Sequence, residues 1–326
     1  MKGTRAYEEK YRKRAEKLIK DNSDKPYLAG FYYFNEAADS TACKYLEYCL
    51  NFMNATGKKP KELVLEDFTK YLHSIKDTSS PYRIAVYSAL KKFSYYLKAS
   101  GENDKNYMQF VKRPKAVESK ETKTKRDKGF LEENEIDQLL EGVERGVGTT
   151  RSRALQKKWR ERDILIILLF LSTGMRCSAL YKLDLNSINM STHMLTTNDK
   201  GDKEHEHKLP DEVMCHLEAW LAKRKELLNG KEEDALFISN QRSRMDQSSI
   251  FRIVKKYAAV IQDKNISPHK LRATYGTQLY NATGDLRFVQ DRLGHSNPKT
   301  TEIYIRGQKN VDIEKETDII SNLLKK

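Results

Sequence analysis

The sequence is poor in cysteine. Its four cysteines, Cys43, Cys49, Cys177 and Cys215, are scattered with no C-x-x-C spacing, which argues against a zinc knuckle or disulfide framework and fits reduced thiols. No G-x-x-x-x-G-K-[ST] run occurs, so no phosphate-cradling loop points to ATP. Long apolar segments are missing as well: the longest run, Ile164 to Leu171, has eight residues, against about 18 for a membrane-spanning helix. The opening MKGTRAYEEKYRKRAEKLIK is too charged for a signal peptide. These absences predict a soluble, cytoplasmic protein with no membrane partner. No internal repeat is visible.

Positive charge is what the sequence has in excess. Sixty Lys and Arg against 46 Asp and Glu give a formal net charge of +14, a balance that favours a polyanionic partner, nucleic acid first. An anionic membrane surface would call for a basic amphipathic helix, whereas the basic residues here are spread along the whole chain. With 326 residues, two domains of roughly 100–200 residues are expected.

Apolar residues recur with helical spacing in the first third: Cys43, Leu46, Leu50 and Met53; then Leu65, Phe68, Tyr71, Leu72 and Ile75; then Ile84, Tyr87, Leu90, Phe93 and Leu97. The third helix has Ser80 as candidate cap and Pro81 in its first turn, and it stops before Gly101. A further helix is expected in the first 20 residues, so residues 1–112 read as a helical bundle. Tyr95, Tyr96, Lys91, Lys92 and Lys98 could face DNA or form a solvated face. FYYF at Phe31 to Phe34 could stack on bases, but burial suits it better. Residues 113–129, within KRPKAVESKETKTKRDKG, have no apolar period and read as a basic linker, either solvated or lying along phosphates.

Residues 130–326 form the second domain. Leu131 to Leu140 reads as a helix, Gly146 to Arg162 as a polar basic segment, and ILIILLFL as a buried element. The turn Ser172-Thr173-Gly174 leads into a helix from Arg176 to Lys182. HMLTT and EHEHKLP flank NDKGDK as a β-hairpin with Gly201 in its turn. Helices follow at Asp211 to Leu228, Ser248 to Gln262 and Pro268 to Asn281, the last capped by Ser267, then at Asp285 to Leu293, ending at Gly294. Asn297-Pro298 opens a short helix that carries Tyr304.

Several polar residues sit oddly in this scaffold: Arg176 after a tight turn, Lys200 in the hairpin turn, His269 and Arg272 three apart on one helical face, then His295 and Tyr304. Arginines, a lysine and histidines suit a phosphate, whose non-bridging oxygens gain charge under attack and are matched by guanidinium forks. Tyr304, between Ile303 and Ile305, is either a packed core residue or a nucleophile. A phenol with a pKa near ~10 must lose its proton on attack and remains a modest leaving group, which makes the step reversible. A lysine on a hairpin could protonate the departing sugar oxygen. Such chemistry calls for no metal and no nucleotide cofactor.

TGMR (Thr173 to Arg176), the DKGDK hairpin, HKLR (His269 to Arg272), DLRFVQDRLGHS (Asp285 to Ser296) and TTEIY (Thr300 to Tyr304) together resemble the tyrosine recombinase, or phage integrase, family in order and spacing. The resemblance covers about 130 residues closely, and the helical first domain and basic linker more loosely. It implies a mainly α fold with a small antiparallel β-sheet in the catalytic domain, in a two-domain clamp around double-stranded DNA. It further implies that Arg176 and Arg272 bind the scissile phosphate and that Lys200 protonates the 5′ oxygen. His269 would assist proton transfer, His295 would hydrogen-bond the phosphate, and Tyr304 would form a 3′-phosphotyrosine link. A homo-tetramer on two DNA sites and an accessory directionality factor would be the partners.

The pattern departs from the family in two places. Ala179 stands where family members often carry a carboxylate, a role that Asp184 could fill instead. The hairpin is also longer than usual, which leaves Lys203 as an alternative to Lys200. His205 and His207 share a strand face with metal-compatible spacing, or are ordinary exposed hairpin histidines. The stripe Ile313, Thr317, Ile320 and Leu324 marks a terminal helix that packs on its own domain or on a neighbouring protomer. The segment before the first clear core-binding helix is too short for a separate arm-binding domain, so a simple two-domain recombinase of a mobile element is expected. A type IB topoisomerase and a non-catalytic DNA-binding protein are the alternative readings.

Overall fold

The computed structural model describes residues 2–115, 129–198, 204–262 and 264–294. The chain divides into two compact units, Met1–Lys120 and Glu121–Lys326.

The first unit is built from α1 (Lys2–Asp21), α2 (Tyr27–Phe34), α3 (Asp39–Thr56), α4 (Leu65–Ser74) and α5 (Ser80–Ala99). Helix α3 lies at its centre, packed against α1, α2, α4 and α5. The aromatic rings of Phe31, Phe52, Phe68 and Phe93 are fully buried, and Phe52 stacks on Phe68 at 4.7 Å. Ser79 occupies the N-cap of α5, one residue before the expected Ser80, with Pro81 in the first turn. The FYYF segment splits by helical phase: Phe31 and Tyr32 enter the core while Tyr33 and Phe34 face water. Tyr96 is likewise buried, whereas Tyr95, Lys91, Lys92 and Lys98 are exposed.

The second unit contains α6 (Glu133–Arg145), α7 (Thr150–Lys157), α8 (Arg160–Thr173), α9 (Cys177–Leu180), strands β1 (Ile188–Asn189), β2 (Met194–Asn198) and β3 (Glu204–Lys208), then α10 (Asp211–Leu228), α11 (Gln247–Ala258), α12 (Pro268–Thr283) and α13 (Leu286–Leu293). Helix α8 is apolar almost all round, as a helix enclosed by others must be. It packs on α6, α10, α11 and α12, and Leu165, Ile166, Ile167, Leu169 and Phe170 are fully buried. Each such side chain stabilises the fold by about 1.5–3 kcal/mol relative to an exposed one.

Local details differ from the sequence expectations. The basic segment before α8 contains a short helix, α7, none of whose side chains is buried. The helix after the Thr173-Gly174 turn spans only Cys177–Leu180, with Arg176 as its N-cap. Helix α11 ends at Ala258, four residues before the expected Gln262. The hairpin gains a third strand, giving an antiparallel sheet in the order β1-β2-β3. Ser267 and Asp285 occupy the N-caps of α12 and α13. No helix among the described residues is long and apolar enough to cross a membrane.

Candidate active site

The site begins at the end of α8. Thr173 is buried, and its hydroxyl donates to the Leu169 carbonyl at 2.6 Å while accepting from the Met175 amide at 3.2 Å. Gly174 then caps the helix with φ +63°, and a Cβ there would lie 2.3 Å from the Tyr275 ring. The chain therefore reverses in a space only glycine fits, and Arg176 emerges two residues later.

Helix α12 supplies the second arginine. Arg272 is only 4% exposed. Its Nη1 donates to the Gly174 carbonyl at 2.8 Å and its Nη2 donates to the Leu293 carbonyl. Arg176 Nη2 in turn donates to the Gly294 carbonyl at 3.2 Å. Carbonyls at the end of a helix lack intrahelical partners, and here the end of α13 serves as the acceptor surface that orients both guanidinium groups. Gly294 closes that helix at φ +60°, where a Cβ would strike the His205 ring at 2.6 Å.

A pocket lies over these groups, lined by Met175, Arg176, Ala179, Thr197, His205, His207, Arg272, Arg292 and Leu293. No carboxylate stands among the described residues that line it. His269, one turn before Arg272, keeps an exposed face. Partial desolvation of its ring, then the positive charges of Arg272, Lys270 and Arg176, lower its pKa from the ordinary 6.5, so the imidazole is neutral near pH 7 and can accept a proton.

The sheet contributes the far wall. Leu195 pairs with His207 and Thr197 with His205, so these four side chains share one face. His207 is buried, not an exposed hairpin histidine. Burial, then Arg292, His205 and Arg272, push its pKa down to about 4. Among the described residues no third His, Cys, Asp or Glu joins the two histidines as a metal-binding group. Asp184 does not replace the carboxylate missing at Ala179: it pairs with Arg244, which also donates to the Tyr181 and Leu183 carbonyls at 3.2 Å each. Its task is to fasten that loop.

Of the sequence-derived site residues, Arg176, His269 and Arg272 converge. Lys200, its alternative Lys203, His295 and Tyr304 lie outside the described residues, as does the terminal stripe from Ile313 to Leu324. Arg292 and His207 were not anticipated as site residues. The i, i+2 spacing of His205, His207 and Leu209 was the available signal, because Leu209 marks that strand face as inward.

The phage integrase family model matches residues 129–310. The tyrosine recombinase XerS of Streptococcus pyogenes serotype M49 is 30% identical over 304 residues, covering 86% of this chain and 84% of XerS. Among solved structures, XerH bound to a palindromic difH substrate aligns with a TM-score of 0.64 at 23% identity, over 86% of this chain and 78% of that one. A lambda integrase tetramer bound to a Holliday junction aligns with a TM-score of 0.58 at 15% identity, over 91% and 76% of the two chains. These two likenesses establish the shared fold.

Proposed function

The chain belongs to the phage integrase family, and we propose that it is a site-specific DNA recombinase that cuts and rejoins strands through Tyr304. The observation that carries this reading is the convergence of Arg176 and Arg272 on the Gly174, Leu293 and Gly294 carbonyls. Two guanidinium groups drawn from distant segments are thereby fixed beside one pocket, on carbonyls of which two belong to the residues immediately before His295.

In this mechanism Arg176 and Arg272 bind the non-bridging oxygens of the scissile phosphate and neutralise the charge that builds there. Tyr304 attacks phosphorus, its phenolic oxygen bonding to the 3′ phosphate as the bond to the 5′ oxygen breaks. Neutral His269 assists removal of the phenolic proton, and Lys200 gives a proton to the 5′ oxygen. His295 donates to a phosphate oxygen. Attack by the 5′ hydroxyl of an exchanged strand reverses the sequence, conserving the bond without a nucleotide cofactor. The first unit and the basic linker would complete a clamp on double-stranded DNA, with four protomers on two sites in the cytoplasm and an accessory directionality factor as a further partner.

The test uses supercoiled plasmid with and without the DNA that flanks this gene, incubated with the protein or with Tyr304→Phe. A protease-sensitive adduct and recombinant circles, seen only with the flanking DNA and only with Tyr304, are the expected outcome. Relaxation of both plasmids without exchange would indicate a topoisomerase instead, and binding with no Tyr304-dependent adduct would contradict strand transfer.

A further inference from the structure

Three arginines line the pocket, yet the mechanism above uses two. The third, Arg292, sits in the last turn of α13, where a basic side chain is ordinarily explained by the helix dipole alone. That explanation would leave it turned to solvent. Instead its guanidinium lines the pocket with Arg176 and Arg272, and its Nη2 lies 3.2 Å from Nδ1 of His207 on β3.

The polarity of that contact is fixed by chemistry. A guanidinium can only donate, so Nδ1 must accept and the proton of His207 must sit on Nε2. The ring is therefore neutral in this arrangement. A buried neutral imidazole acting as acceptor orients Arg292 without neutralising it, so the full cationic charge reaches the pocket. Ala179 presents only a methyl group on the same wall. Three guanidinium groups converging, with no carboxylate among the described residues of the lining, make a strongly anion-selective cavity.

We propose that Arg292 is a third phosphate-binding guanidinium in this active site, contacting the scissile phosphate, and that His207 is the positioning residue that aims it. The proposal rests on the recombinase reading and deepens it. Arg176 and Arg272 are tied to backbone at the helix end, whereas Arg292 is held by a side chain of the sheet and can meet a different non-bridging oxygen. Charge that develops on that oxygen during attack would then be met from a second direction.

The test follows covalent adduct formation at saturating DNA on a nicked duplex taken from the flanking DNA, with either an ordinary phosphodiester or a methylphosphonate at the cleavage position. Arg292→Leu is expected to slow adduct formation about 100-fold on the phosphodiester, and Arg292→Lys to slow it less. On the methylphosphonate, which lacks the charged oxygen, the difference should contract to about threefold. His207→Gln, which keeps an acceptor, should stay near wild type, while His207→Phe should behave like Arg292→Leu and add nothing to it. Thermal melting of each variant verifies its fold.

If wild type forms a Tyr304-dependent adduct but Arg292→Leu and Arg292→Lys match it, the inference fails while the recombinase reading stands. Equal slowing by Arg292→Leu on both substrates also overturns it, because the residue would then not be acting on phosphate charge. Absence of any adduct with wild type removes the recombinase reading and this inference together.

Discussion

Arg272 donates to the carbonyl of Gly174 at 2.8 Å across 98 positions of sequence, and this bond joins the turn that presents Arg176 to the helix that carries His269. In the proposed mechanism Arg272 also binds the phosphate, so loss of its side chain should register twice. Arg272→Ala leaves the Gly174 and Leu293 carbonyls without this donor, at a cost of about 1–3 kcal/mol for each buried group. Arg272→Lys retains the charge without the planar fork and should still lower cleavage about 100-fold. Urea unfolding and adduct formation measured on both variants separate the two effects.

Gly174 and Gly57 share nearly the same left-handed backbone, at φ +63° and φ +64°, but a Cβ at Gly57 meets nothing within 4 Å. Gly57→Ala should therefore cost only the conformational strain, about 1 kcal/mol. Gly174→Ala adds the clash with Tyr275 and should cost on the order of 2–4 kcal/mol. Urea midpoints of the two variants measure the difference, and equal values would refute the packing argument.

Asp163, in the first turn of α8, is fully buried and receives bonds from Arg162 at 2.8 and 2.9 Å, Tyr257 at 2.8 Å and Lys256 at 3.1 Å. Desolvation and then the Asp163 carboxylate push the Tyr257 hydroxyl well above its ordinary pKa, so it remains a donor at any physiological pH. Asp163→Ala should cost about 3–5 kcal/mol by leaving a buried cation uncompensated. Tyr257→Phe should cost about 1.5–3 kcal/mol. Denaturant melts test both, and values under half of these would show that water enters the cluster.

His207 makes stability depend on pH. Its pKa falls from 6.5 to about 4 in the folded chain, so between those values the unfolded chain binds the extra proton. Stability from this group is fully present above about pH 6.5 and is lost as pH falls toward 4, by about 3 kcal/mol in all. Urea titrations should show wild type losing about that stability between pH 6.5 and 4 while His207→Gln, which does not titrate, keeps it, so the two curves separate as pH falls. Parallel curves would contradict burial of a neutral ring.

Periodicity made the helices legible. Asp211 to Leu228 matches its helix end to end, and the all-apolar run from Ile164 announced the enclosed helix at the centre of the second unit. Boundaries shifted by a residue where neighbouring serines carry the same signal, as with Ser79 in place of Ser80. Helix α7 escaped notice because it buries nothing and so leaves no apolar stripe. The convergence of Arg176, His269 and Arg272 was readable from their chemistry and order. Arg292 was not, since a basic residue in a last helical turn has a sufficient local explanation, and only the pairing of β3 with the end of α13 brings His207 to it. The fate of Asp184 was equally hidden, because its partner Arg244 lies 60 positions away.

Gly294 ties the end of α13 to Arg176, and Tyr304 stands ten residues further along the sequence. A fully stretched chain advances at most about 3.6 Å per residue, so ten residues bound the reach of the proposed nucleophile at about 36 Å. Under the proposed mechanism, lengthening or shortening the sequence between Gly294 and Tyr304 would change which phosphate can be struck while keeping the bonds of Arg176 and Arg272 to the helix end. In that reading the length of the sequence sets where the blow can land, and the helix end that holds the two arginines sets where it takes effect.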